Sequence, residues 1–242
     1  MLRTLLKGLE WSELKDYISP AFFEVMPARQ ISRQITNLTR TRLRSPDVAR
    51  QRLAANVPAE VQVVADASSR PPDDSVRRTH GQRLLTLYFH QLYHHPTAFL
   101  DLRQLRFDAS EAQSIWAPGW MRITWEPRFI ANIRALYLGY YGGDMDRFDQ
   151  AIDQLSLRPA RDIFLNHFGD GEQRAVQFAR TTFHHSFHEA FMACAREGTE
   201  LHGDFIGLGI YLACLYEHLE ALGLAYDVRT AFHQATADVR PG

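Results

Sequence analysis

Two pairs of histidines stand one helical turn apart, His90 with His94 and His184 with His188. Imidazoles at i and i+4 share one helix face, the spacing from which two side chains can reach one metal ion. Glu189, His202 and Glu217 would add ligands if the helices bearing them crossed. On this alternative the chain is a His-liganded metalloenzyme in a helical bundle, with a divalent transition metal as cofactor. The surrounding sequence does not strengthen it. There is no His-Glu-x-x-His, and no repeated Glu-x-x-His of the di-iron bundles. With eleven histidines in the chain, chance pairs are expected. Asp144-Met-Asp146 looks like a metal-binding Asp-x-Asp, but after two glycines it sits where a helix cap belongs.

Signatures for other chemistries are missing. No phosphate-cradling Gly-rich loop with its lysine occurs, no Gly-x-Gly-x-x-Gly follows a strand, and no Gly-x-Ser-x-Gly presents a nucleophile. No residue is therefore assigned a catalytic role, and the leading expectation carries no cofactor. The clearest charged feature is basic. Arg29, Arg33, Arg40, Arg42 and Arg44, followed by Arg50 and Arg52, have only Asp47 as a nearby acid. Such a segment is a footprint for a protein partner with an acidic surface, or for peripheral contact with an anionic membrane. Specific nucleic-acid binding is not expected: aromatic residues do not interleave with these arginines, and the net charge of the chain is -1.

The elements that would position these residues are mainly helical. Leu2, Leu5, Leu6, Leu9 and Leu14 predict an amphipathic helix over residues 2–17, and Ile31, Ile35 and Leu38 another over 28–44. Residues 61–64 are a short strand candidate, and 67–74 a Pro/Asp-rich loop. Helices follow over 79–94, 129–140, 147–155, 160–168 and 172–196, with a tail helix near 228–237. Between them, Leu102-Arg-Gln-Leu-Arg-Phe107 and Trp120-Met-Arg-Ile-Thr-Trp125 alternate in polarity. They predict a small antiparallel hairpin or three-stranded sheet near residues 102–125. From Phe205 to Tyr216 no residue is charged, which marks the central helix of a soluble domain, with Asp204 to cap its start and Gly223 its end. Gly209 and Ala213 on one face of it predict a close helix crossing. The fold class is a mainly α helical domain with that one small β element. The organisation expected is an N-terminal helical arm with the basic segment over 1–65, then a main helical domain over 75–242. Cys194 and Cys214 lack Cys-x-x-Cys spacing and read as core thiols, and Met1–Glu10 lacks a signal-peptide pattern. Both fit a reducing cytoplasm, with the arm as a membrane-peripheral element.

The order of elements from Thr79 onward carries a resemblance. A helix ends in Tyr93-His-His-Pro96, a hairpin follows, and Trp125-Glu-Pro-Arg-Phe129 opens a helix running into Leu136-Tyr-Leu-Gly-Tyr-Tyr-Gly-Gly-Asp144. Then come Ala151-Ile-Asp-Gln-Leu155, Gly198-Thr-Glu-Leu-His-Gly-Asp-Phe205 and the apolar helix. This resembles the C-terminal lobe of the UbiB (AarF-type) atypical kinase family. That family's catalytic loop reads His-Ala-Asp-Pro-His-Pro-Gly-Asn. The matching stretch here is His95-Pro-Thr-Ala-Phe-Leu-Asp101, so only His95 and, with a shift, Asp101 correspond. The Asp-Phe-Gly position falls near Ala117-Pro-Gly-Trp120, with no metal-binding aspartate. Phosphoryl transfer depends on positioning metal-bound phosphates. What the resemblance implies is a truncated, pseudokinase-like helical domain. The expected function is a non-catalytic binding or scaffold protein.

Overall fold

The computed structural model describes residues 24–42, 47–66, 72–168 and 175–238. The leucine helix expected over 2–17 lies outside the described residues, as does Arg44, and the side chain of Arg42 is likewise not described. The described fold is mainly α with small sheets. Its helices are α1 (Ala28–Arg42), α2 (Asp47–Ala54), α3 (Asp74–His94), α4 (Pro127–Gly142), α5 (Met145–Gln154), α6 (Arg161–Phe168), α7 (Arg180–Arg196), α8 (Phe205–Leu222) and α9 (Val228–Thr236). Its strands are β1 (Val61–Val63), β2 (Thr97–Phe99), β3 (Phe107–Ala109), β4 (Ser114–Trp116), β5 (Arg122–Thr124), β6 (Val176–Gln177) and β7 (Ala225–Tyr226). Contacts divide the chain into two compact units. The first takes the described parts of Met1–Thr39, Trp125–Gln173 and Arg180–Ala213; the second takes Arg40–Thr124, Arg174–Ala179 and Cys214–Gly242.

The first unit is built on the α4–α5 hairpin. Pro127 sits in the first turn of α4, where its missing N–H costs nothing. The Glu126 carboxylate caps that turn, accepting from Phe129 N–H at 2.7 Å. Gly143, at φ 77°, ends α4, and Asp144 caps α5 by accepting from Arg147 N–H, the role its position suggested. The hairpin closes tightly at Gly139. A Cβ there would lie 2.5 Å from the Phe148 backbone nitrogen and 2.8 Å from its Cα. Gly209, by contrast, has open space among the described residues where a Cβ would be, so no described helix makes the expected close crossing at that glycine. Gly139→Ala is accordingly expected to cost about 2–3 kcal/mol through overpacking against backbone. Gly209→Ala should stabilise by up to about 1 kcal/mol, the helix-propensity gain. Thermal melts of the two variants, shifting in opposite directions, check both.

The second unit packs α3 against α9, with Phe232 edge-on to Phe89 at 5.4 Å and to Tyr93 at 5.7 Å. An antiparallel hairpin lies within residues 102–125, in a three-stranded sheet as expected, but the alternating segments 102–107 and 120–125 are not its two strands. β3 and β4 pair antiparallel, Phe107 opposite Trp116, and β1 joins the other edge of β4 in parallel, Val61 opposite Ser114. β5 pairs instead with β2, Phe99 opposite Arg122. Two local causes explain the difference. Pro118 and Gly119 separate β4 from β5. Residues Gln104–Arg106 wind into a 3-10 turn as Arg103 and Arg106 reach back to Asp101. The helix expected from Glu172 starts only at Arg180, because Val176 and Gln177 pair with β7 and Phe178 packs on Tyr216 at 4.8 Å. Cys194 and Cys214 are free and buried, as expected of core thiols. α8 is long and apolar enough to cross a membrane by length and composition, but 72% of it is buried inside the protein.

Candidate functional site

The structure places the sequence-derived candidates in three different settings. On α1, Arg29 and Arg33 are exposed, one turn apart, and have no ion pair among the described residues; Gln34 and Leu38 on the other face are buried. Arg40 is also exposed and belongs to the second unit. Arg50 and Arg161, by contrast, are engaged. Arg50 donates twice to the Pro118 carbonyl, and Arg161 grips Asp149 through Nε at 2.6 Å and Nη2 at 3.1 Å.

The histidine pairs lie in different units. In the second, His90 stacks on His94 with centroids 4.3 Å apart, and His94 donates from Nε2 to the Ala235 carbonyl at 2.8 Å. Burial, then the neighbouring His94 and His95, hold His90 down to about 4, and its Nδ1 is buried with no hydrogen-bond partner. In the first, His184 and His188 lie parallel, centroids 6.2 Å apart. Among the described residues no group of three or more His, Cys, Asp or Glu side chains is arranged to hold a metal ion.

The second unit also holds a polar chain that spacing in the sequence does not reveal. His80 on α3, Ser114 on β4 and His218 on α8 are all at most 1% exposed. His218 Nδ1 bonds the Leu102 carbonyl at 2.8 Å, His80 Nε2 bonds His218 Nε2 at 3.1 Å, and His80 Nδ1 bonds Ser114 Oγ at 2.8 Å. A carbonyl only accepts, so His218 donates from Nδ1 and accepts at Nε2 when neutral. His80 must then donate from Nε2, and the Ser114 hydroxyl donates to His80 Nδ1. One carbonyl therefore fixes both tautomers and the direction of every proton. The chain has the composition of an activated serine, but it is sealed among Phe107, Trp116 and the imidazoles themselves. It lacks the access that an attacking nucleophile needs.

Beside it lies Asp101, with a side chain 0% exposed. Arg103 holds it bidentately, Nε to Oδ1 at 2.7 Å and Nη2 to Oδ2 at 2.9 Å, and Arg106 adds Nε to Oδ2 at 2.8 Å. His95 donates from Nε2 to the Asn56 carbonyl at 2.6 Å. A scan against protein-family models finds no match to this chain, and no curated protein matches it in sequence.

An open polar cleft of about 630 Å³ lies in the first unit. Glu126, Arg128 and Asn132 from the start of α4 line it, with Ser156 after α5 and Glu200 and His202 before α8. Asp204, 2% exposed, supports it from behind. Its carboxylate accepts from the Gln34 side chain and from Glu126 N–H at 2.7 Å, so it holds α1 and α4 rather than capping α8. Burial pushes that carboxyl up. The Asp204 N–H donates to His202 Nδ1 at 3.2 Å, and His202 lies flat on Phe129, centroids 5.2 Å apart. The Glu126 carboxyl is held below the usual range, chiefly by the Phe129 N–H bond.

Proposed function

We propose that the protein is a non-catalytic binding or scaffold protein that engages an acidic segment of a protein partner through the basic helix α1. The observation that carries this reading is that Arg29 and Arg33 are exposed and have no carboxylate partner among the described residues, in a protein of net charge -1. The groups with the composition of chemistry support it from the other side: they are spent on the fold. The Asp101 carboxylate is filled by Arg103 and Arg106, and the Ser114–His80–His218 chain is sealed. The resemblance to the C-terminal lobe of the UbiB family fits the same reading. The two residues that correspond to that family's catalytic loop, His95 and Asp101, are engaged by Asn56 and by the two arginines.

Exposed charges act over about 8 Å at physiological salt, so the interaction should be salt-sensitive. Fluorescence anisotropy with a glutamate-rich peptide is expected to show saturable binding that weakens as salt rises. The Arg29→Gln/Arg33→Gln double variant is expected to weaken it about 5- to 10-fold, as rim charges contribute up to about 1 kcal/mol each. Binding that neither salt nor this variant changes would remove the reading. Phosphatidylserine vesicles form the second arm: stronger binding there than to the peptide would make the partner a membrane surface. No saturable ATP·Mg²⁺ binding is expected by calorimetry.

A further inference from the structure

We propose that the cleft at the start of α4 binds a free amino acid carrying a second cationic group, of the lysine or arginine kind. The inference stands apart from the docking of α1. Arg128 is exposed, with the Glu126 charge near it, and Asn132 follows one turn later on the same helix face; neither makes a side-chain hydrogen bond among the described residues. A guanidinium beside a carboxamide is a donor set for one carboxylate. Two carboxylates line the same cleft. Glu126 uses Oε2 to cap α4 and is held in its charged form, and Glu200 is exposed with no cationic partner among the described residues. The C-terminal end of α5, Gln154 to Ser156, opens into the cleft and adds the partial negative charge of a helix end. One guanidinium with two carboxylates and a helix C-terminus complements a ligand with one carboxylate and two cations. The exposed His202 ring, stacked on buried Phe129, offers a flat face for an aliphatic stem.

Ser156 lines the cleft, and also a neighbouring one beside Arg158 and Arg196. It is the one non-glycine residue with positive φ, 60°, among the described residues. At the ends of α4, α7 and α8 the same left-handed position is filled by Gly143, Gly198 and Gly223. Serine is strained there, and its exposed hydroxyl has no partner among the described residues. Strain of this kind gathers at ligand sites.

Calorimetry on the full chain tests the proposal with L-lysine and L-arginine. Two subtracted probes accompany them: L-norleucine lacks the side-chain amine, and cadaverine lacks the carboxylate. Saturable binding of lysine or arginine is expected, with norleucine and cadaverine each about tenfold weaker or more, because each leaves one charged group unanswered. Arg128→Gln should erase the preference for lysine over cadaverine, and Glu200→Gln the preference for lysine over norleucine. Both are surface changes that leave the fold intact. The proposal is overturned if neither amino acid binds at millimolar concentration, if cadaverine binds as well as lysine, or if neither variant alters lysine binding.

Discussion

Asp101→Ala is expected to destabilise the second unit by about 3–5 kcal/mol, the cost of breaking a buried ion pair by removing one partner. The reason lies in what remains. Arg103 is 4% exposed on its side chain and holds this carboxylate through both Nε and Nη2. Burial acts to lower the Arg103 pKa, but the hydrogen bonds and charge of Asp101 outweigh it and raise the value. Without Asp101 the guanidinium keeps the burial and loses the largest part of what offsets it, the charge of Glu217 remaining. Arg106 is 22% exposed and can turn to water, so Arg106→Ala should cost only about 1 kcal/mol. Replacing the pair together, Asp101→Leu with Arg103→Met, should recover much of the loss, because no uncompensated charge is then buried. Urea denaturation at neutral pH separates these outcomes. A loss below about 1 kcal/mol for Asp101→Ala would mean that Arg103 escapes to solvent and that the pair does not organise the 3-10 turn.

How far the sequence foretold this depends on the range of each interaction. α4 was legible because its start, Glu126-Pro127, and its stop, Gly142-Gly143, are local chemistry. The cap at Asp144 was legible for the same reason. The partner of β5 was not: a three-residue strand carries too little alternation to state what it pairs with, and β2 is separated from it by β3, β4 and the Asp101 turn. The start of α7 was obscured because Val176 fits a helical stripe, and only pairing with distant β7 makes it a strand. Paired histidines drew attention to His90, His94, His184 and His188, since i, i+4 spacing is visible in a single segment. His80, Ser114 and His218 come from three elements remote in sequence and have no local signature. Asp204 was assigned to its own helix because capping is a local rule; its carboxylate serves Gln34 and Glu126 instead. Asp101 entered only through the kinase resemblance, which suggests a reactive aspartate, whereas its neighbours at positions 103 and 106 make it the centre of an ion-pair network.

Acid should weaken the second unit before it weakens typical carboxylate networks, and the Ser114–His80–His218 chain is the cause. Burial, then the charge of Arg83, lowers the pKa of His80 to about 4. Burial, then His80, lowers that of His218 to about 3, against the opposing Leu102 bond. Each imidazole is neutral in the folded unit, as the single carbonyl at the end of the chain requires. In the unfolded chain both titrate near pH 6.5. Below that value the unfolded state binds more protons, so stability rises with pH across the window. The contribution is complete above about pH 6.5 and is lost as pH falls toward the folded values. At pH 5 the loss is about 2 kcal/mol for each histidine, about 4 kcal/mol for the pair. His90, also lowered to about 4, adds to the same slope from a less enclosed position. Urea unfolding of the second unit between pH 7.5 and 5 reads the effect. The His80→Leu/His218→Met variant is expected to lose most of the slope whatever its own stability, keeping the share of His90 and His95. Ser114→Ala removes one donor and should cost about 1–2 kcal/mol at every pH without moving the window. A slope unchanged in the double histidine variant would place the acid sensitivity elsewhere and remove the relay from the account of stability.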